Sequence, residues 1–248
     1  MRIIINCDDL GASKEINDCI FDLMEQRRVT SATLMMNAPE TEDALVRMRS
    51  YPACSFGIHL NGTQFAPLTA HAGLGPLLND KGEFAGNLKR IPLTAEVREG
   101  IFAEWCAQIG RGLAAGVPFS HIDSHQFVHT VPRLFGVLKR IQKKFHIRKV
   151  RLTPNLFLPS ESNSVRLRAS KFAWNFALRH YFPTITAGEL GSFLAFYERL
   201  QAGHHSKGSI ELMCHPGRKK FEAETELLRG NWKETLARDA QLISYNEL

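Results

Sequence analysis

The chain opens with an apolar run that ends on two adjacent acids, Ile3-Ile4-Ile5-Asn6-Cys7-Asp8-Asp9-Leu10-Gly11. Three successive isoleucines predict a buried strand over about residues 2–6. Asp8 and Asp9 then fall at its carboxyl end, where parallel α/β sheets build their sites. Gly11 lets the chain turn away. Adjacent carboxylates repel, so a fold keeps them together beside positive charge, usually a metal ion. One of them could instead cap the next helix. Ser13 competes for that position, ahead of the stripe Ile16, Cys19/Ile20, Leu23.

Strand-like and helix-like segments alternate along the rest. Further strands are expected at Ala32–Met36, Ser55–Leu60, Phe119–Asp123 and Lys149–Thr153, weakly at Thr184–Ala187, and at Gly208–Cys214. Helices are expected near 13–28 and 41–50, from Thr94 to Leu113, from Pro132 to Phe145, over 164–182 and over Ser192–Ala202. The tail, with Leu227, Leu228, Leu236, Ala240 and Ile243, reads as helical. The stretch 61–92 shows no clear period, and a loop that long predicts a wall or lid over the third strand's end. About seven βα units point to a parallel sheet. With no composition break and no repeat, residues 1–248 read as one domain. Candidate site residues follow strands one, three, four and seven. A closed ring gathers those ends and an open sheet spreads them, so the fold class expected is α/β, a distorted or incomplete TIM-like (β/α) barrel.

No Gly-x-Gly-x-x-Gly or Walker-type loop follows a strand, so nucleotide binding has no motif behind it. Five scattered cysteines, without a Cys-x-x-Cys pair, point to a reducing cytoplasm and away from a disulfide framework. No signal peptide or membrane-span pattern is read in the chain.

Chemistry-bearing residues collect at the strand ends. His59 and Asn61 follow the third strand, His121, Asp123 and His125 the fourth, and His215 the seventh. A single histidine at a strand end is ordinarily structural. Three such ends plus paired acids, from only ten histidines, suggest a carboxylate–imidazole metal site with positions open to water and substrate. Asp123 is placed to orient a ligand imidazole through its N–H.

The ordered motifs Asn6-x-Asp8-Asp9-x-Gly11, Gly57-x-His59, His121-Ile122-Asp123-Ser124-His125 and Cys214-His215-Pro216 resemble those of the YdjC-like carbohydrate deacetylases, which include chitooligosaccharide and hopanoid-associated deacetylases. The similarity runs from residue 1 to about 217. The resemblance implies a polysaccharide-deacetylase-like barrel and one divalent metal ion held by Asp9, His59 and His125. It makes Asp8 the general base and His215 the general acid. Asn61, His121, Asp123 and Arg151 are further candidates for orienting ligands or touching substrate. The family is described with magnesium, whereas imidazole ligands also suit zinc. The chain departs from the family at Gln126, where many members carry a second histidine, which bears on substrate subtype. The implied reaction is removal of an acetyl group from an N-acetylated amino sugar. The rivals are the same site acting on an ester, and a sugar-binding barrel without turnover.

The charge of +6 is uneven: residues 1–124 hold 11 basic and 15 acidic residues, and residues 125–248 hold 20 and 10. From Lys139 to Arg179 there are 11 basic residues and one acid, Glu161. Segment 164–182 mixes Arg166, Arg168, Lys171, Arg179 and His180 with Trp174 and several Phe. The plain expectation is an outer barrel helix. The same composition suits a helix lying on an anionic membrane surface, so peripheral membrane contact, or a phosphate-bearing sugar, is a second expectation. A homodimer is left open, and nucleic acid has no recognition motif behind it.

Overall fold

The computed structural model describes residues 1–157, 164–203, 206, 208–236 and 240–248; Glu161 lies outside them. Its frame is a curled, parallel sheet in the order β4-β3-β2-β1-β6-β5. The strands are β1 (Arg2–Leu10), β2 (Ser31–Leu34), β3 (Ser55–Leu60), β4 (Ile122–Ser124), β5 (Glu189–Ser192) and β6 (Ser209–Cys214). Between them run α1 (Lys14–Glu25), α2 (Thr41–Arg47), α3 (Ala95–Ala114), α4 (Phe135–Phe145), α5 (Val165–His180) and α6 (Phe193–Gln201), with α7 (Glu222–Arg229) after β6. Ser13 and Thr94 cap α1 and α3, accepting from Ile16 and Val97 N–H groups.

Among the described residues, the ring between β4 and β5 is completed by single bridges and loop hydrogen bonds. Val150 bridges Ile122, Lys149 bridges Ile185, and the N–H groups of Asn155 and Leu156 both reach Leu190 C=O. The expected strands at 149–153 and 184–187 are therefore reduced to bridges, and β5 begins later, at Glu189. One cause is visible at Thr153, whose N–H donates to the Asn175 side chain at 2.9 Å rather than to a strand. The expected barrel is thus a distorted one.

Alternation along β1 separates two cores. Ile3, Ile5 and Cys7 join the main apolar cluster with Ile16, Ile20 and Leu23 of α1. Ile4 faces the other way, into a small cluster with Ile243 and Tyr245. Among the described residues, the tail is not α-helical beyond Arg229. Gly230 ends α7, a short turn follows at Trp232–Thr235, and β7 (Gln241–Leu242) pairs with the start of β1. Stretch 61–92 is a wall tied to α3. Buried Glu104 accepts from Leu68 and Thr69 N–H groups, and Gln108 bonds both backbone polar groups of Asn61. Among the described residues, no helix is long and apolar enough to cross a membrane.

Candidate metal centre

The inward positions of the sheet are polar, and each follows from period-two alternation. β1 contributes Asn6 and Asp8, β2 Ser31 and Thr33, β3 Ser55 and His59, β4 Asp123, and β6 Glu211; all are buried. Simple alternation would send Asp9 outward. Between Cys7 and Leu10, however, β1 carries one residue more than β2 between Ala32 and Leu34. Asp9 adopts φ 67° there, a left-handed conformation that Asp tolerates better than most residues. The bulge brings both acids to the site.

Asp9 Oδ1 lies 2.7 Å from His125 Nδ1 and 3.3 Å from His59 Nε2. One ligand atom from each of the three lies within 4.8 Å of the others, and all three residues are buried. His59 Nδ1 meets Asp123 Oδ1 at 2.7 Å. An N–H there fixes the tautomer that leaves Nε2 free to ligate. Thr33 Oγ1 donates to the other Asp123 oxygen at 3.0 Å. Burial opposes a charged His59, but Asp123 and Asp9 outweigh it and raise its pKa to about 10. Burial would raise Asp9, yet bonds from His125 and His59 hold it well below the carboxylate range. Its second oxygen takes Arg218 Nη2 at 2.7 Å.

Asp8 is gripped by Arg151, Nη1 to Oδ2 and Nη2 to Oδ1, at 2.7 Å each. Arg151 also reaches Asp123 Oδ2 and Glu211 Oε1, again at 2.7 Å. Burial pushes Asp8 up, but the guanidinium prevails and its pKa falls to about 2. His215 Nε2 stands 3.7 Å from Asp8 Oδ2. Its ring stacks on Phe221, and its backbone N–H donates to Glu224. Burial lowers its pKa against the pull of Asp8 and Asp9.

The structure thus brings together Asp8, Asp9, His59, Asp123, His125, Arg151 and His215. Two expected residues lie elsewhere. His121 sits two residues deeper than Asp123, stacked on Tyr245 at 3.5 Å and 8°. Asn61 braces the wall, its amide N–H groups donating to Asn37 Oδ1 and Gln64 C=O. Just past His125, Gln126 and Phe127 both have positive φ, 52° and 55°, a strained turn of the kind found at functional sites. A cavity of about 730 Å³ lies beside the cluster rather than over it, between Phe127, Thr153 and α5.

Arg218, Glu211 and Tyr245 were not among the expected residues. For Glu211 a signal existed: it is the one acid in the apolar strand sequence Ile210-Glu211-Leu212-Met213, and a buried charge demands a partner. Arg218 and Tyr245 carried no comparable signal.

Residues 2–243 match the family described as YdjC-like protein. A protein named carbohydrate deacetylase from Halalkalibacterium halodurans is 34% identical over 224 residues, covering 87% of this chain and 85% of its own length. Another of that name, from Geobacillus stearothermophilus, is 32% identical over 218 residues, covering 86% and 78%. Among solved structures, a protein provisionally assigned to cellobiose-phosphate cleavage, from Enterococcus faecalis, superposes with a TM-score of 0.75 at 23% identity. It covers 99% of this chain and 98% of its own, a likeness of fold.

Proposed function

Since this chain belongs to the YdjC-like family, we propose that it hydrolyses the acetyl amide of an N-acetylated amino sugar with the help of one divalent metal ion. The observation that carries the reading is the convergence of Asp9, His59 and His125 donor atoms beside the Arg151-bound Asp8. One carboxylate and two imidazoles, buried and mutually in reach, fit a divalent ion, and they suit zinc-like metals better than magnesium. These three residues would hold it. When bound, such an ion supplies Lewis acidity toward an amide carbonyl and toward water.

The remaining roles belong to side chains. Asp123 keeps His59 in its ligating tautomer. Arg151 keeps Asp8 ionised, so that Asp8 can accept the proton of the attacking water. His215, facing Asp8, gives a proton to the departing amine, a leaving group too basic to depart unprotonated. The test is acetate release from paired N-acetyl and O-acetyl sugars, with and without a chelator. Amide turnover abolished by chelation and restored by a divalent ion supports the reading. Turnover of esters alone, or turnover untouched by chelation, overturns it.

We also infer that α5 meets an anionic membrane. Val165, Phe172 and Tyr181 on and just after it are 84%, 73% and 66% exposed, interleaved with Arg166 and Arg168. The basic field is narrower than the sequence suggested. Lys139 is buried against Gln142 and Leu178 C=O, Arg140 pairs with Glu99, and Arg151 lies in the core. A second copy packed on α5 would oppose like charges, which favours lipid as the occupant. Sedimentation with anionic and neutral liposomes tests this: equal, negligible binding to both removes it.

A further inference from the structure

The floor beneath the metal centre is built by residues 241–246. Gln241 N–H donates to Met1 C=O at 2.9 Å and Ile243 N–H to Ile3 C=O at 2.8 Å. The chain then turns inward. Tyr245 is fully buried, its ring flat on His121. Only glycine at position 57 leaves room for that stack, since a Cβ there would sit 2.4 Å from His121 Cε1. Lys149 Nζ secures the turn through the carbonyls of Tyr245 and Asn246.

Two hydrogen-bond chains run from Tyr245 to Asp8. In the first, the phenol donates to Glu211, Glu211 accepts from Arg151 Nε at 2.7 Å, and Arg151 holds Asp8 with both terminal nitrogens. In the second, Tyr245 N–H donates to Ser55 Oγ at 2.9 Å, and Ser55 to Ser31 at 2.9 Å. Ser31 then donates to Asn6 Oδ1 at 2.6 Å, and Asn6 Nδ2 to Asp8 Oδ1 at 3.0 Å. Every residue in both chains is buried. In the second chain each donor hands onward to Asp8 Oδ1, whereas in the first Glu211 accepts from both the phenol and Arg151, which in turn donates to both oxygens of Asp8. Burial and the Glu211 charge push the phenol well above its usual range, which keeps it a donor.

We propose that Tyr245 is a positioning residue for Asp8, acting through Glu211 and Arg151, so that the segment 241–248 completes the site. This rests on the reading of Asp8 as the base. The guanidinium serves three carboxylates at once, and its rotation is set by the Nε bond to Glu211. With the phenol gone, Glu211 keeps a buried oxygen unpaired and can meet that need by turning from Arg151 or taking a proton. Either loosens the grip on Asp8.

The test is Tyr245→Phe, which keeps the ring on His121 and removes only the donor, together with Glu211→Gln and the double variant, all in the metal-loaded protein. Loss of a group that orients an active-site side chain typically lowers activity by about 10-fold or more. The expected result is such a fall in kcat, with KM and metal content unchanged. The double variant should fall no further than Glu211→Gln alone, since both act on one chain. Independently of any substrate, the NMR signal of the Arg151 Nε–H, recognised by its loss in Arg151→Lys, should shift or broaden in Tyr245→Phe. A parental kcat with an unmoved Arg151 signal overturns the proposal, as do losses that multiply in the double variant. If the parent turns over no acetylated sugar, that failure falls on the deacetylase reading, and the Arg151 signal decides the positioning.

Discussion

Arg151→Met removes the one cation shared by Asp8, Asp123 and Glu211 while keeping much of the volume. All four side chains are essentially inaccessible. Breaking a buried pair by deleting one partner costs about 3–5 kcal/mol, because the remaining charge is left uncompensated. The pKa of Asp8 gives an independent scale: a fall from 3.8 to about 2 corresponds to roughly 2.5 kcal/mol from that carboxylate alone. For a chain of this length the loss should lower Tm by about 10 °C. The pH dependence has a definite sign. In the parent, Asp8 is depressed below its unfolded value, so its contribution is present above about pH 4 and lost as pH falls toward 2. In the variant, burial without the cation raises the carboxylates above their unfolded values, so their contribution is present at low pH and lost as pH rises. The deficit of the variant should therefore be small near pH 2 and full at pH 7. Chemical unfolding of metal-free parent and variant across that range measures it. Equal stability at pH 7, or a deficit that does not change with pH, refutes the reasoning.

Asp9→Ala, His59→Ala and His125→Ala should each lose bound metal and sugar deacetylation together, measured on purified protein; full metal occupancy in any one removes that residue from the ligand set. Asp8→Asn should keep the metal yet lower kcat by roughly 10²–10⁴, the usual worth of a positioned base. His215→Ala should slow an amide more than an activated ester, and equal losses on both would speak against proton donation to the leaving group. Gly57→Ala forces a Cβ to within 2.4–2.7 Å of three His121 ring atoms, so thermal unfolding should show about 1–3 kcal/mol of destabilisation from overpacking; an unchanged Tm would mean that the His121–Tyr245 stack yields freely.

Where the sequence was legible, one physical rule acted alone. β3 spans the expected Ser55–Leu60, and its alternation places His59 inward. The capping residues Ser13 and Thr94 set two helix starts as expected. Legibility failed where long-range partners decide. Nothing local shows that β1 bulges at Asp9, because the extra residue is defined only against β2. Arg151 stands among the site candidates, but its local pattern is that of one more cation in a basic run, and it is the carboxylates of β1, β4 and β6 that draw it inside. The tail carries apolar residues at helical spacing, but Gly230 stops the helix, and the open start of β1 takes residues 241–242 as a strand.

That pairing makes β1 a meeting point for distant parts of the chain. Asn6 meets Ser31 of β2, but Arg2 meets Ser209 of β6 and Gln241 of β7, both more than 200 residues away. Closing loops of that length precedes any reward from the ladder, so folding should be slow for the chain's size. Until β6 docks, one edge of β1 offers unpaired backbone groups beside Ile3, Ile4 and Ile5. An exposed apolar edge of that kind recruits strands from other molecules. Refolding yield should therefore fall steeply with protein concentration, even though the finished fold buries the edge completely.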